Sequence, residues 1–375
     1  MIRFNRPHMT GKEMQYMTEA VERGKISGDG VFTQKCHAFL QDTLGVKKVL
    51  LTTSCTDALE MSALLLNLQP GDEVIVPAFT FVSTVNAFLV RGATPVFIDV
   101  RPDTLNLDET LLESKITPRT RAVVPVHYGG VACEMNAIVS IANHHNILVI
   151  EDNAHGLFAT YYGQYLGTFG ALATQSFHET KNFHCGEGGA LLINAERFIE
   201  RAEIIREKGT DRSRFFRGQV DKYTWVDVGS SFLPSDLLAA FLFAQFEHKD
   251  QIQKRRHEIW STYYTGLSDW AAAQDVQLPV VPAHCHHSAH LFYLLLPTLE
   301  SRDRFISFLR DRGVQTVFHY LPLHLSKMGR QLGGQPGMCP VTESVSDRLV
   351  RLPFYNDLTP SDQARVIEAI QTFTV

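Results

Sequence analysis

Cysteine pairs, a basic excess and long apolar runs are all missing from this chain, and each absence removes a class of protein. The six cysteines (Cys36, Cys55, Cys133, Cys185, Cys285 and Cys339) contain no CxxC pair. A disulfide framework is therefore not expected, and free thiols in a reducing, cytoplasmic setting are. With 35 Lys and Arg against 40 Asp and Glu, the formal charge is −5, which leaves no basic footprint for a nucleic-acid backbone. Small anionic molecules stay open as ligands, because local groups decide those. The longest apolar run, LLAAFLFAQF at 237–246, falls well short of the roughly 20 residues needed to span a bilayer. The segment MIRFNRPHMTGKEMQ carries no apolar signal region. Low-complexity tracts, runs of like charge and internal repeats are absent too, so a disordered tail is not expected.

What is present is ordinary globular usage, 45% apolar and 20% charged over 375 residues. At about 150 residues per domain, that length suggests two domains. From residue 48 the pattern alternates between short Val/Ile/Leu-rich segments and helical stretches. KVLLTTS, DEVIVP, TPVFIDV, AVVPVHY and ILVIED read as strands, with helices predicted over 57–68, 80–91 and 133–145 between them. Strands apolar on both faces belong to a parallel sheet covered by helices on each side. The fold class is therefore α/β with a mostly parallel central sheet. ALATQSFH and GALLIN follow, then a helix over 196–208 that ends at Gly209. The polar, aromatic segment 210–231 reads as a long functional or contact loop. One long helix is predicted from Ser235 into the 260s. After it come strand LFYLLL, helix SRDRFISFLRDRG and strand VQTVFHY. The expected division is a large domain over 1–249 and a smaller C-terminal α/β domain over 250–375.

In an open parallel sheet, ligands sit beyond the carboxyl ends of the strands, so the residues that end strands are the candidates for chemistry. Three such ends stand out. Ser54, Cys55 and Thr56 of TTSCTDAL lead from a strand into a helix and offer free N–H groups to an anion, although a Ser or Thr there also serves as a plain N-cap. Glu151 and Asp152 close ILVIED, with His155 three residues beyond Asp152. A carboxylate there is often only solvated, yet it can also hold a ring nitrogen protonated. Lys181 follows SFHET; a lone lysine is nearly always a surface charge, and only partial burial makes it a nucleophilic amine. Together on one sheet edge they supply what pyridoxal phosphate needs: a phosphate cradle, a partner for the pyridine nitrogen and an anchor for the aldehyde. Phe81 of PAFTFVST can cover the ring, or simply pack in the core. HCHHSAH at 284–290 lacks a second ligand cluster and is read as ordinary residues ahead of a strand, with no metal expected.

The motifs SGDGVFT, PGDEVIVPAFTFVST, VPVHYGGVACEM, SFHETKN, EIIREKGTDRSRFFRGQVDKYTW and FHYLPLH resemble those of DegT/StrS-type nucleotide-sugar aminotransferases, over nearly the whole chain. The resemblance implies a fold-type I pyridoxal-phosphate transferase. It implies Lys181 as the amine that anchors the cofactor, Asp152 on the pyridine nitrogen, His155 at the ring edge and Phe81 stacked on the ring. Ser54, Cys55, Thr56 and Ser176 would surround the phosphate. His319 and Tyr320 of FHYLPLH would touch substrate. It further implies glutamate as donor, a nucleotide-linked keto sugar such as dTDP-4-keto-6-deoxyglucose as acceptor, and a homodimer that builds each site from two copies. The chain departs from the family pattern at GSSFLPSD, where Ser231 stands at a usual Asn and Leu233 at a usual Arg. A Leu cannot bind a carboxylate. The donor's carboxylates are thus unassigned, with Arg212, Arg214 and Arg217 as open candidates. The presence of Lys181 argues against the related sugar dehydratases, in which a His replaces it. The lack of a DNA-binding element argues against a regulator.

Overall fold

The computed structural model describes residues 1–375. Its central sheet has seven strands: β1 (Lys48–Thr52), β2 (Glu73–Pro77), β3 (Thr94–Ile98), β4 (Thr120–Val123), β5 (Leu148–Asp152), then β8 (Leu172–Ser176) and β9 (Gly189–Ile193). Two short strands, β6 (Thr160–Tyr161) and β7 (Gln164–Tyr165), form a hairpin between β5 and β8 and pair with β10 (Cys285–His286). The order across the main sheet is β1-β9-β8-β5-β4-β2-β3. Only β9 runs antiparallel to its neighbours. The mostly parallel sheet expected from the Val/Ile/Leu runs is therefore present, and the carboxyl ends of six strands share one edge.

Both faces of the sheet are covered, which is why its strands carry apolar residues at consecutive positions. Leu50, Val74, Val76, Ile150 and Leu191 pack on one side with helices α3 (Cys55–Leu65) and α4 (Ser83–Leu89). Ile75, Val123 and Val149 face the other side against α5 (Met135–His144). Val49, Leu51, Ala173 and Leu192 meet α2 (Val31–Leu44) and α8 (Asp236–Glu247) there as well, with α1 (Glu13–Glu22) packed along α8. After β9 come α6 (Ile199–Arg206) and the short α7 (Arg212–Phe216). The remainder comprises α9 (Lys249–Ala273), β11 (Tyr293–Leu295), α10 (Leu299–Asp311), α11 (Lys327–Gln331), α12 (Pro340–Arg348), β12 (Leu349–Arg351) and α13 (Pro360–Gln371). These elements bury a second core around Ile259, Tyr263, Phe292, Phe305, Val350 and Val366, to which the N-terminal Ile2 also contributes.

Two expected elements differ from the structure. The long helix from Ser235 is two helices meeting at His248: its N–H bonds Gln245 O at 3.1 Å, three residues back, while its ring Nδ1 takes the Ala244 carbonyl at 3.1 Å. A side chain inserted into the helical ladder breaks it. The segment 314–320 is no strand. Its Val314 bridges Ile2 and its Val317 bridges Arg351, so two partners each take one bridge and no continuous ladder forms. Helix ends also shift, α3 starting at Cys55 because Ser54 caps it by accepting from Asp57 N–H at 3.0 Å.

The two carboxylates that end β5 do different work, because alternate residues of a strand face opposite sides. Glu151 is fully buried; it accepts N–H bonds from Gly167 (2.7 Å), Phe169 (2.8 Å) and Gly170 (2.7 Å), and lies 3.0 Å from His127 Nε2. The His127 Nδ1 accepts from Cys133 N–H at 3.2 Å, so Nε2 is the nitrogen that donates to Glu151. Glu151 thus ties the turn after β7 to the sheet. Its replacement by Ala orphans three buried N–H groups and is expected to cost about 3 kcal/mol or more in urea unfolding. A loss under about 1 kcal/mol would show that the turn repairs itself with water.

Candidate active site

A cavity of about 820 Å³ opens at the carboxyl edge of the sheet. It is within the range that holds a small-molecule ligand. Ser54, Cys55, Thr56, Phe81, Asp152, His155, Ser176, Lys181, His319 and Tyr320 all line it. These ten residues singled out from sequence therefore meet in one place. Ser231 does not: it is exposed, paired with Glu207 in a single bridge, and outside the cavity of its own chain. Arg212, Arg214 and Arg217 are also outside and are ion-paired to Glu207, Glu200 and Glu203.

At the end of β1 the chain turns into α3, leaving the N–H groups of Cys55 and Thr56 without a partner in the fold. That is the ordinary consequence of starting a helix, and it makes a concentration of donors with the positive end of the helix dipole behind it. β9 can lie against this turn only because residue 189 is Gly; a Cβ there would sit 2.3 Å from the Ser54 carbonyl carbon. The Cys55 thiol, raised by burial, stays protonated.

Asp152, 5% exposed, turns into the cavity from the opposite side of β5 to Glu151. Thr84 Oγ1 donates to its Oδ2 at 2.7 Å, and Ala154 N–H donates to its Oδ1 at 3.2 Å. Thr84 in turn shares a 2.9 Å bond with Thr80, in the bend that precedes α4. The carboxylate is therefore oriented yet keeps lone pairs free, since each oxygen can accept more than one bond.

Lys181 sits in the turn between β8 and β9, held by its N–H to His178 O at 2.9 Å. Its amine has no carboxylate within ion-pairing distance. Burial pushes its pKa down to about 8, against smaller upward pulls from Cys55 and Asp152. A lysine so placed has its free amine within reach at neutral pH, the condition a nucleophilic lysine requires.

Three imidazoles of the cavity lining form a column. His155 stacks on His290 at 4.2 Å and 26°, and lies 6.3 Å and 24° from His319. Burial holds all three well below the usual histidine range, with Lys181 and Arg351 adding to the effect. They are neutral hydrogen-bonding groups. Gly129, at φ 63, points its N–H at His155 Nδ1 (3.3 Å), which leaves the Nε2–H of His155 to donate. His290 Nδ1 is fixed by Asn182 Oδ1 at 2.9 Å and His319 Nδ1 by Tyr128 OH at 3.0 Å. Phe81, 57% exposed, stands at the rim, its ring 6.3 Å from that of Tyr320.

Sequence reasoning missed Thr84 and Arg351. Thr84 sits in the first turn of α4, just past the strand end at Pro77, which was a usable signal. For Arg351 there was none.

With this geometry in hand, comparison with known proteins is informative. Residues 7–371 match the DegT/DnrJ/EryC1/StrS aminotransferase family. The chain is 33% identical to the spore coat polysaccharide biosynthesis protein SpsC of Bacillus subtilis over 376 residues, covering 98% of this chain and 96% of SpsC. Among solved structures, the aminotransferase TlmJ from Streptoalloteichus hindustanus superposes with a TM-score of 0.90 at 31% identity, covering 99% of this chain and 98% of that one. Spr1654 from Streptococcus pneumoniae, described as a sugar aminotransferase and solved in PLP and PMP forms, gives 0.92 at 26% identity, with the same coverage of 99% and 98%.

Proposed function

The chain belongs to the DegT/DnrJ/EryC1/StrS aminotransferase family, and from that premise we propose that it moves the amino group of glutamate, through pyridoxal phosphate, onto C4 of dTDP-4-keto-6-deoxyglucose. The observation that carries the cofactor assignment is the meeting of Lys181, Asp152 and the open N-terminus of α3 around one cavity. The residues fit the group. The unpartnered N–H groups of Cys55 and Thr56, with the hydroxyls of Ser54 and Ser176, would hold its phosphate; Phe81 would cover a ring face and the His155 Nε2–H would donate at the ring edge. Asp152 would hold the ring nitrogen.

Bound there, pyridoxal phosphate supplies an aldehyde that accepts the donor's nitrogen and a protonated ring that draws electrons from the reacting carbon. Asp152 keeps that ring proton in place, and its own position is kept by Thr84 and Ala154. The Lys181 amine would serve as the base that takes the proton from the donor's α-carbon and as the acid that returns it, with these roles reversed for the sugar. With a pKa near 8, the amine can perform both transfers at neutral pH. The neutral histidine column offers donors without adding a competing charge.

Ser231 is proposed to act in the site of a second copy, its hydroxyl reaching the phosphate there. Phe216 and Trp225, 70% and 77% exposed in the neighbouring segment, form apolar surface of the kind that marks an interface. Sedimentation should give twice the 42.2 kDa chain mass, and Trp225→Glu should shift it to the monomer and loosen the cofactor. A monomeric parent protein would remove this part of the account. The six free thiols and the lack of any helix long and apolar enough to cross a membrane support a cytoplasmic site of action.

The choice of C4 rests on the likeness of SGDGVFT, FHYLPLH and the 203–225 segment to C4-aminating relatives. Polysaccharide biosynthesis, the role in SpsC's name, is proposed here as the destination of the amino sugar. Incubation with glutamate and dTDP-4-keto-6-deoxyglucose should yield dTDP-4-amino-4,6-dideoxygalactose, identified by proton NMR. An amine on C3, or turnover only with another nucleotide carrier, would replace the substrate and keep the chemistry.

A further inference from the structure

The cavity contains one guanidinium, that of Arg351 at the end of β12. Exchange of backbone bonds with Val317 (2.7 and 3.3 Å) fixes the strand end that presents it. Its side chain is poorly satisfied. A 3.3 Å bond from Nη2 to the Phe318 carbonyl is its one hydrogen bond, Nε is buried without a partner, and the remaining close contact is the Phe4 ring at 4.7 Å. No carboxylate lies within ion-pairing distance. The two fully buried arginines have more partners: Arg206 has Asp29 and the Leu51 carbonyl, with one Nη left unpaired, and Arg256 has the Ala289 and His290 carbonyls and the Asn356 side chain. Arg91 and Arg348 also leave a buried Nε unpaired, but neither lines the cavity.

Arg351 is half-buried with its Nε enclosed, and a cation so placed without a counter-charge is one whose charge a ligand can supply. Because the three stacked histidines are neutral, Lys181 and Arg351 are the cations available to an anion in this cavity. The phosphate cradle is built by a different element, the N-terminus of α3. The exposed rim, Phe81 (57%), Phe318 (49%) and Leu321 (64%), is where the nucleotide tail of a sugar substrate must leave. Arg351 has its Nε inside that rim. An anionic group that must stay beside the reacting carbon belongs inside, and the planar fork of a guanidinium matches a carboxylate in two-point contact.

Resting on the aminotransferase reading above, we propose that Arg351 is the specificity-determining residue that receives the α-carboxylate of the amino donor. The site then recognises its two substrates by different charges: the donor by a carboxylate on Arg351, and the acceptor, which has no carboxylate, without it.

The test uses the cofactor-loaded protein and its Arg351→Ala and Arg351→Lys variants. In the parent, L-glutamate should react far faster than 4-aminobutyrate, which lacks the α-carboxylate. In Arg351→Ala, kcat/KM for glutamate should fall about 100-fold, the preference over 4-aminobutyrate should collapse, and the half-reaction with the dTDP-4-amino sugar should stay within about threefold. Arg351→Lys should recover part of the glutamate rate, since it restores charge without the fork. Binding by calorimetry gives a readout free of turnover: maleate, an unreactive dicarboxylate, should weaken at least tenfold in Arg351→Ala, and thymidine diphosphate should not. The reverse pattern would assign Arg351 to the nucleotide and overturn the inference, as would unchanged binding of both. Should the parent itself fail to react with any amino acid, the aminotransferase reading fails, an outcome distinct from a reactive parent whose Arg351→Ala variant is unaltered.

Discussion

Lys181→Ala is expected to lower amino-group transfer by more than about 10⁴-fold while leaving the chain folded. The residue is asked to do two things at once, hold the cofactor and shuttle a proton, and general acid–base catalysis alone contributes about 10²–10⁴-fold. Folding should survive because the amine makes no ion pair and its place is a turn held by backbone bonds. Stability adds an independent readout. The folded-state pKa of about 8 lies below the ordinary 10.5, so between those values the unfolded chain binds more protons and stability rises with pH. Burying Lys181 therefore costs stability fully below pH 8, a cost relieved as pH climbs toward 10.5. Without cofactor, Lys181→Met should be at least as stable as the parent at pH 7, with the gap closing toward pH 10. Substantial residual transfer in Lys181→Ala, or a variant that unfolds, would contradict the assigned role.

Asp152→Ala should cost about 10³-fold in the rate of either half-reaction. Without the carboxylate, nothing in the cavity holds a proton on the ring nitrogen, and electrons from the reacting carbon lose their sink. Thr84→Ala removes one hydrogen bond to Asp152 and should cost far less, about tenfold, because Ala154 N–H remains. The ordering matters more than either figure: rates unchanged in Asp152→Ala, or lower in Thr84→Ala than in Asp152→Ala, would mean that the carboxylate does not act on the ring. Glu151→Ala supplies the contrast. It sits one residue away on the strand's other face, and should lose stability rather than catalytic rate in whatever fraction remains folded.

The parts of this picture that were legible in the sequence follow from short-range rules. Consecutive apolar residues such as Val49, Leu50 and Leu51 announce a strand covered on both sides, because each must find a core. Strand ends in a parallel sheet share an edge, so Ser54, Asp152, Ser176 and Lys181 could be placed together before any coordinates. Alternation says that Glu151 and Asp152 face opposite ways, but not which one meets the ligand; the loop at 167–170 decides that by offering its N–H groups to Glu151. The break at His248 and the loss of the strand at 314–320 depend on an imidazole competing for a carbonyl and on two distant bridging partners. Arg351 lay beyond reach for the same reason. It is 170 residues past Lys181 in the chain and comes to the cavity through its pairing with Val317, a contact that no local pattern encodes. Ser231 was singled out through the family likeness, and one copy of the chain leaves it at the surface.

The measurement that bears most directly on the central claim is the covalent map of the cofactor. The protein loaded with pyridoxal phosphate is reduced with borohydride, digested and analysed by mass spectrometry. The account predicts one reduced cofactor per chain, on the peptide containing His178, Lys181 and Asn182 and assigned to Lys181 by fragmentation, with no adduct in Lys181→Ala. An adduct on a different lysine, or none in a protein that nevertheless transfers amino groups, would contradict it.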